Sequence, residues 1–239
     1  MKLQHYLSKR GLFSRRVAET MIREGYVLVN GAVEKNYLFQ VAQNDQVSFA
    51  EKIQEYAKKL GVLLINKPRG VWTNCKIGAQ EKEVLDFLPK QYRDYSSIGR
   101  LDKDSEGLIL FTNDGVFANQ FLNSDETHER VYQVWTKHPL TNAHQRSLRS
   151  GVILTDGITK PCGISEIKRN CYELRLTEGK NRQIRRMLEM CGTYVTRLKR
   201  LSFGEYQLGG IVSGQCRYVS LTDQFYDRIR GRCSLNDGL

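Results

Sequence analysis

From Val62 onward the chain is dominated by short β-like runs, and this pattern limits the possible folds more than any other feature of the sequence. Helical pieces separate some runs, notably at residues 183–191, but long helices do not alternate regularly with them. Regular alternation would indicate parallel βαβ units, so its absence predicts a mixed, mainly antiparallel sheet with helices, the α+β class. The runs are VLLIN (62–66), GLILFTN (107–113), VYQVWT (131–136), GVILTD (151–156), YELRLTE (172–178), YVTRLKR (194–200) and CRYVSLT (216–222).

The N-terminal part of the chain has its own helix and strand signals. Apolar residues at helical spacing precede Gly11, which can end a first helix. Ser14 has the side chain of a helix N-cap, and residues 15–24 are predicted to form a second helix closed by a glycine. The segment YVLVNG (26–31) predicts a strand that runs into an Asn-Gly turn, and a short strand near Val47–Phe49 completes the unit.

These signals divide the chain into three parts. Residues 1–50 are expected to form a small N-terminal domain. EKIQEYAKKL, residues 51–60, is charged and lacks strand character, which indicates a linker. Residues 61–239 hold the β-like runs and are expected to form the second domain.

Three arginines, Arg15, Arg16 and Arg23, surround the second predicted helix. The stretch fits the pattern L-x-x-x-G-x-x-S-R-R…I-x-x-G-x-V-x-V-N-G and resembles the small αL RNA-binding domain of a small-subunit ribosomal protein and of some tyrosyl-tRNA synthetases. The resemblance implies that the three arginines bind RNA. A basic helix that packs on a small sheet can bind phosphates without contacting the bases. Taken alone, the same residues also describe a solvated amphipathic helix.

The charge of the chain indicates a polyanionic partner. The 239 residues include 37 Lys and Arg against 26 Asp and Glu, a net charge of +11. Ten Lys or Arg face three Glu between positions 168 and 200, and such a concentrated basic segment is typical of nucleic-acid binding. The longest apolar runs are too short for a membrane span, and the N-terminus lacks the apolar stretch of a signal peptide. We therefore expect a cytoplasmic protein, and a monomer.

The six cysteines do not indicate a metal or redox site. No two are spaced as Cys-x-x-Cys, and no His pair accompanies them. We interpret them as small buried thiols in a reducing compartment, and no metal is predicted.

An acidic stretch interrupts this basic chain. Asp102, Asp104, Glu106 and Gly107 match the first half of an EF-hand loop, but Asn113 stands where the bidentate glutamate is required, so calcium is excluded. A magnesium nuclease site remains a hypothesis that needs further carboxylates from elsewhere in the chain.

A third interpretation makes one acid a nucleophile. Asp102 lies just before a predicted buried strand, and a carboxylate held there beside a cation stays ionised and oriented. LRLTEGKNRQIRRM (174–187) can supply the cation, since it places Arg182, Arg185 and Arg186 at the start of a helix that follows a strand.

Together these motifs resemble the bacterial ribosomal RNA pseudouridine synthases that carry an N-terminal αL domain and modify 16S or 23S rRNA at single sites. The chain shares five motifs with that family in the same order, and the resemblance covers essentially its whole length. They are INKPRG (65–70), GRLDKDSEGLILFTNDG (99–115), ERVYQV (129–134), RLTEGKNRQIRRM (175–187) and GQCRYVSLT (214–222).

The resemblance implies a reaction and three catalytic residues. The family breaks the N-glycosidic bond of a uridine in RNA, rotates the uracil and rejoins it through C5, without a cofactor. Asp102 corresponds to the catalytic aspartate, which attacks C1′ of the ribose or assists a glycal route. Tyr132 corresponds to the tyrosine that stacks on uracil and helps remove the C5 proton, and Arg185 to the residue that pairs with the acid. From the residues alone, a strand aromatic such as Tyr132 is more often core, and Arg185 can bind phosphate.

The remaining motif residues receive supporting roles. In related enzymes the Arg of RLD helps to fill the space left by the extruded base, and the resemblance assigns this role to Arg100. Asp104 and Glu106 are expected to shape the loop, and Lys67 and Pro68 to shape a strand end. Arg130 stands where many relatives have Lys, which keeps the charge but changes its geometry. The residues expected to bind RNA are Arg15, Arg16, Arg23, Arg100, Lys180, Arg182 and Arg186.

The leading hypothesis is therefore an rRNA pseudouridine synthase that acts on 16S or 23S rRNA or on a pre-ribosomal particle. The second is a non-catalytic RNA-binding or ribosome-assembly protein with the same fold, and the third is the metal-dependent nuclease. The sequence names neither the target uridine nor the ribosomal subunit.

Overall fold

The computed structural model describes residues 1–74, 81–123 and 128–231, which form two compact units. Among the described residues, the first unit contains 1–62, 112–120 and 218–231, and the second contains those between 63 and 111 and between 121 and 217. The helices are α1 (Leu3–Lys9), α2 (Arg15–Arg23), α3 (Ile53–Ala57), α4 (Gly115–Leu122), α5 (Asn142–Ser150), α6 (Gln183–Met190) and α7 (Thr222–Arg230). The strands are β1 (Val27–Val29), β2 (Ala32–Val33), β3 (Val47–Phe49), β4 (Gly61–Lys67), β5 (Ser96–Ile98), β6 (Glu106–Thr112), β7 (Arg130–Thr136), β8 (Ile153–Leu154), β9 (Gly157–Ile158), β10 (Gly163–Lys168), β11 (Cys171–Leu176), β12 (Val195–Phe203), β13 (Tyr206–Gln207) and β14 (Cys216–Ser220).

The N-terminal elements follow from local chemistry. The Ser14 side chain accepts a 3.3 Å hydrogen bond from the Val17 N–H and so caps α2. Asn30 and Gly31 have φ angles of 52° and 79°, the left-handed values that a two-residue hairpin turn between β1 and β2 requires. The cap, the turn and the strand at Val47–Phe49 confirm the elements expected in the first 50 residues.

Aromatic packing extends the first unit beyond its small sheet, which has the order β2-β1-β3. The ring of Phe13 lies 5.9 Å from Tyr56 of α3 and 5.9 Å from Phe225 of α7, and these two rings lie 5.7 Å apart. Helix α3 falls within residues 51–60, so the segment expected to be a linker holds a helix that belongs to this unit.

The large sheet has the strand order β10-β11-β7-β12-β6-β4-β14, with β5 beside β6 and β13 beside β12. The pairs β10–β11, β11–β7 and β7–β12 are antiparallel, whereas β12 runs parallel to β6. At that parallel contact a Cβ on Gly107 would lie 2.3 Å from the Arg200 carbonyl oxygen, so only glycine fits. The mixed, mainly antiparallel sheet confirms the predicted α+β class.

Two apolar clusters in the second unit position the site. One contains Leu174, Met187 and Leu198, and the other contains Leu63, Ile109 and Phe111. Tyr132 on β7 packs against both clusters and is half-buried. Its ring is therefore fixed by the core while part of it stays accessible.

Among the described residues, no helix has the length and apolar character needed to cross a membrane. The thiols of Cys162, Cys171 and Cys191 are buried and unpaired, as predicted, and Cys216 is half-buried. The other two cysteines, at positions 75 and 233, lie outside the described residues.

Candidate active site

Asp102 lies in the loop that leads into β6, and the neighbouring backbone is held tightly. The Thr73 hydroxyl donates to the Leu101 carbonyl (2.8 Å) and accepts from the Leu101 N–H (3.0 Å). The Ser105 N–H donates to the carbonyl of Asp102 over 3.1 Å. The backbone is thus fixed on both sides of Asp102, whose side chain is 31% exposed.

Two arginines at the start of α6 face the Asp102 carboxylate. Arg182 Nη1 lies 3.3 Å from Asp102 Oδ2, and Arg185 Nε lies 3.9 Å from the same oxygen. Arg185 is buried, with 8% of its side chain exposed, whereas the Arg182 side chain is 45% exposed. The structure therefore brings the predicted acid and Arg185 together, and it places Arg182 closer to the acid than Arg185.

Asp104 shares both arginines with Asp102. Its carboxylate lies 3.4 Å from Arg182 Nη1 and 3.1 Å from Arg185 Nη2. Arg185 Nη2 also donates to the Asp104 carbonyl and to the Ser105 hydroxyl, each over 3.2 Å. Burial and the neighbouring charge of Arg182 lower the pKa of Arg185, while Asp104 and Asp102 act in the opposite direction. Arg185 therefore fixes the shape of the acidic loop as well as facing Asp102.

A cleft of about 650 Å³ opens beside this cluster and is lined by Asp102, Tyr132 and Arg185 together. Its volume falls within the range of about 300–1,000 Å³ that small-molecule sites occupy. Its described lining holds seven Lys or Arg side chains and two acidic ones, so the cleft favours an anionic ligand. The seven are Arg100, Arg130, Lys160, Lys180, Arg182, Arg185 and Arg200.

Lys67 lies fully buried at the end of β4, where its ammonium group supports the same loop. Lys67 Nζ donates to the carbonyl oxygens of Val71 (2.5 Å), Pro68 (3.0 Å) and Lys103 (3.4 Å). Burial lowers the pKa of Lys67 to about 8, against the opposing influence of nearby acids, chiefly Asp104. The lysine therefore ties the strand end to the acidic loop.

Lys180 and Arg186, two residues predicted to bind RNA, hold the β8–β9 hairpin. Lys180 Nζ donates to the carbonyl oxygens of Asp156, Gly157 and Ile158 at 3.2, 3.2 and 3.1 Å. Arg186 binds the Asp156 carboxylate through two hydrogen bonds of 2.8 and 3.0 Å. These contacts join the hairpin to the segment that carries Arg182 and Arg185.

The other predicted RNA-binding residues are exposed. Arg100 lines the cleft from the Asp102 loop. Arg15, Arg16 and Arg23 lie on α2 in the first unit. Arg23 forms a 2.8 Å ion pair with Glu19, and its guanidinium lies over the Tyr37 ring.

Sequence reasoning did not identify Arg200 as a site residue, and it treated Arg130 only as a departure from the family pattern. Arg200 lies directly across from Tyr132 in the pairing of β7 with β12, and Phe203 lies across from Arg130. No local signal could have found this juxtaposition, because Tyr132 and its strand partner Arg200 are 68 positions apart in the sequence.

The comparisons with known proteins agree with this fold. The family model described as RNA pseudouridylate synthase matches residues 61–190, and the model of the S4 domain matches residues 1–47. The chain belongs to the RNA pseudouridine synthase family, whose members are isomerases. This confirms both the predicted class of enzyme and the predicted combination of a small N-terminal domain with a catalytic domain.

Particular relatives resemble nearly the whole chain. It is 35% identical to the dual-specificity RNA pseudouridine synthase RluF of Escherichia coli (strain K12), over 93% of this chain and 76% of that protein. It is 33% identical to the ribosomal large subunit pseudouridine synthase B of Bacillus subtilis (strain 168), over 96% of this chain and 95% of that protein. A crystal structure of a pseudouridylate synthase shares the fold, with a TM-score of 0.67, 23% identity and coverage of 95% of this chain and 99% of that one.

Proposed function

We propose that this protein is an rRNA pseudouridine synthase that isomerises a specific uridine in 16S or 23S rRNA, with Asp102 as its catalytic carboxylate. The observation that carries the proposal is the position of Asp102, which is held by arginines at the edge of a basic cleft that also contains Tyr132. The names of the relatives, which include a ribosomal large subunit enzyme, support rRNA as the substrate.

The reaction exchanges one glycosidic bond for another and moves one proton. The bond between uracil N1 and ribose C1′ breaks, the base rotates, and C5 bonds to C1′. The C5 proton is then lost, and N1 ends with a proton, so the product contains the same atoms as the substrate. Asp102 either attacks C1′ or assists cleavage through a glycal.

Tyr132 and Arg185 divide the remaining work. The half-buried ring of Tyr132 offers a face on which uracil can stack, and its hydroxyl can assist removal of the C5 proton. Arg185, whose Nε lies 3.9 Å from the carboxylate, orients Asp102 and balances its negative charge. Extrusion of the uridine costs a few kcal/mol, and Arg100, which is exposed and lines the cleft with Asp102, is proposed to fill the gap that the base leaves.

Residues 1–50 are proposed to dock the enzyme on rRNA through Arg15, Arg16 and Arg23. Residues 51–60 connect this part to the catalytic part, residues 61–239. Arg182, Arg186 and Lys180 are proposed to contact the RNA at and next to the cleft. We further propose that the protein acts as a monomer in the cytoplasm, on rRNA or on a pre-ribosomal particle.

A pseudouridine map of 16S and 23S rRNA tests this function and names the site. Cells that carry the wild-type protein are compared with cells that carry Asp102→Asn, and Asp94→Asn serves as a control because Asp94 is an exposed acid outside the cleft lining. We expect one position to lose its modification in Asp102→Asn alone. With that RNA, the purified enzyme should release tritium from [5-³H]uridine and leave the strand intact, with or without EDTA.

Other outcomes identify the competing functions. Identical maps together with tight rRNA binding would favour a non-catalytic RNA-binding protein. Strand cleavage that requires Mg²⁺ would favour a nuclease.

A further inference from the structure

Arg130 and Arg200 lie on the face of the sheet that presents Tyr132. Arg130 is two residues before Tyr132 on β7, and Arg200 is its direct partner on the antiparallel strand β12. Residues two positions apart on one strand project from the same face of a sheet, and so do directly paired residues on neighbouring strands. Their guanidinium carbons also lie 4.5 Å and 5.1 Å from the centre of one ring, that of Phe203. The two cations therefore lie close to each other and to the tyrosine, and all three line the cleft.

Among the described residues, no acidic side chain neutralises the charges of these two arginines. Within residues 1–74, 81–123 and 128–231, no carboxylate forms an ion pair with either of them, in contrast to Arg182 and Arg185. Arg200 is only 3% exposed, donates from Nε to the Leu108 carbonyl (2.7 Å), and has no hydrogen-bond partner for Nη2 in the described chain. Arg130 makes one long hydrogen bond, 3.4 Å to the His128 carbonyl.

Such an arrangement is unfavourable without a ligand. Burial lowers the pKa of Arg130, and the charge of Arg200 acts in the same direction, while Tyr132 acts in the opposite one. Contact with the Phe203 ring stabilises a cation, but a neutral ring cannot cancel two positive charges. An unpaired buried charge is retained in proteins mainly where a partner or ligand satisfies it.

We propose that Arg130 and Arg200 form a subsite for a backbone phosphate next to the target uridine. This inference rests on the proposed function. A phosphodiester carries the negative charge that the pair lacks, and its two free oxygens match the guanidinium fork. A uracil carbonyl is neutral and would leave both charges uncompensated. Because the base and its phosphates are joined through one ribose, a base stacked on Tyr132 brings a phosphate to the neighbours of that residue.

Removal of one RNA charge at a time tests the subsite. Fragments of the mapped rRNA target carry a neutral methylphosphonate in place of the phosphate on the 5′ or the 3′ side of the uridine. Each methylphosphonate fragment also carries a 2′-O-methyl group at the modified linkage, and it is compared with a phosphodiester fragment that carries the same 2′-O-methyl group. Kd and the rate of tritium release are measured for the wild type, Arg200→Gln, Arg130→Gln and the control Arg217→Gln, which removes an exposed arginine of β14 outside the cleft.

The proposal predicts a non-additive result. One of the two methylphosphonates should weaken wild-type binding about tenfold or more, the size of a lost charge-assisted hydrogen bond. The Arg200→Gln variant should bind the phosphodiester RNA about tenfold more weakly than the wild type does. Replacing the phosphodiester by that methylphosphonate should weaken its binding by less than about threefold further. Arg217→Gln should keep the full wild-type loss. The slope of log Kd against log salt should also fall by about 1 in Arg200→Gln.

Two results would overturn the subsite: a wild type that tolerates both methylphosphonates, or an Arg200→Gln variant that shows the full wild-type loss. If Arg200→Gln does not fold, the half-buried Arg130→Gln provides the same comparison. Failure of the proposed function is distinct, since it would abolish tritium release from every RNA while the Kd values still report on the phosphate.

Discussion

Replacement of Arg182 by glycine should separate the stability of the fold from the activity of the site. Arg182 immediately precedes α6 with φ 47° and ψ 33°, a left-handed conformation that an L-residue rarely adopts. Its side chain nevertheless makes the shortest ion pair with Asp102, at 3.3 Å. Strain of this kind persists where the surrounding structure requires it, and often at functional sites.

Arg182→Gly changes the free energy of unfolding in two opposite directions. Relief of the left-handed conformation stabilises the fold by about 1–2 kcal/mol, and the greater freedom of glycine in the unfolded chain offsets about 0.4–1 kcal/mol of this gain. Loss of the ion pairs of a side chain that is 45% exposed costs about 0–1 kcal/mol. Arg182→Gly should therefore unfold within about 1 kcal/mol of the wild type. Arg185→Gln removes a buried guanidinium that binds Asp104 and Ser105, and should cost about 1.5–3 kcal/mol, the range for hydrogen bonds of charged groups.

Urea unfolding and tritium release measure the two effects. Both variants should lose at least about tenfold in activity, because each removes a charged group that orients Asp102. Asn170→Gly is the matched control: Asn170 also has a left-handed φ, 61°, but lies outside the cleft lining. It should unfold within about 1 kcal/mol of the wild type and keep full activity. Full activity in Arg182→Gly, or a stability loss above about 2 kcal/mol, would refute this reasoning.

Three further predictions concern other contacts. Between pH 8 and 10.5 the unfolded chain holds more protons on Lys67 than the folded chain does, so this residue makes wild-type stability rise with pH there. Lys67→Met should lack that rise in urea unfolding, and equal slopes in both proteins would contradict the prediction. Asp156→Asn should lower the free energy of unfolding by less than about 1 kcal/mol, because the ion pair between Asp156 and Arg186 is partly exposed. The same substitution should speed amide hydrogen exchange in the β8–β9 hairpin. Unchanged exchange would show that Lys180 alone holds the hairpin. Arg15→Gln combined with Arg16→Gln should weaken rRNA binding and lower its salt slope by about 1–2, whereas a flat salt titration of the wild type would contradict an electrostatic interface.

The short helices, turns and strands of this fold could be predicted from the sequence because they depend on residues that are close together in the chain. Ser14 caps α2 through its own side chain, and Asn30 and Gly31 can adopt the left-handed angles of a tight turn. The pairing of the strands has no such cause. Strand β12 pairs with β7 on one side and with β6 on the other, and each contact depends on residues distant in the chain.

The same limit applies to the site. The motifs around Asp102 and Arg185 predicted that these side chains meet, and the structure places them together. The motifs did not predict that Arg182 would lie closer, because its reach depends on a left-handed backbone angle that the residue type does not suggest. Arg200 was missed because its relation to Tyr132 exists only through strand pairing.

The acidic loop of this basic protein can now be understood through its partners. Asp102 and Asp104 share Arg182 and Arg185, so the acids carry little uncompensated charge. That compensation matters, because a bare pair of carboxylates would repel the phosphates of an approaching RNA. Arg200 and its neighbour on β7, by contrast, have no acidic partner in the described chain. The lining of the cleft thus combines a neutralised part that holds Asp102, the proposed catalytic carboxylate, with a positive part suited to the RNA backbone, and the proposed function needs both parts to bring a polyanion to an acid.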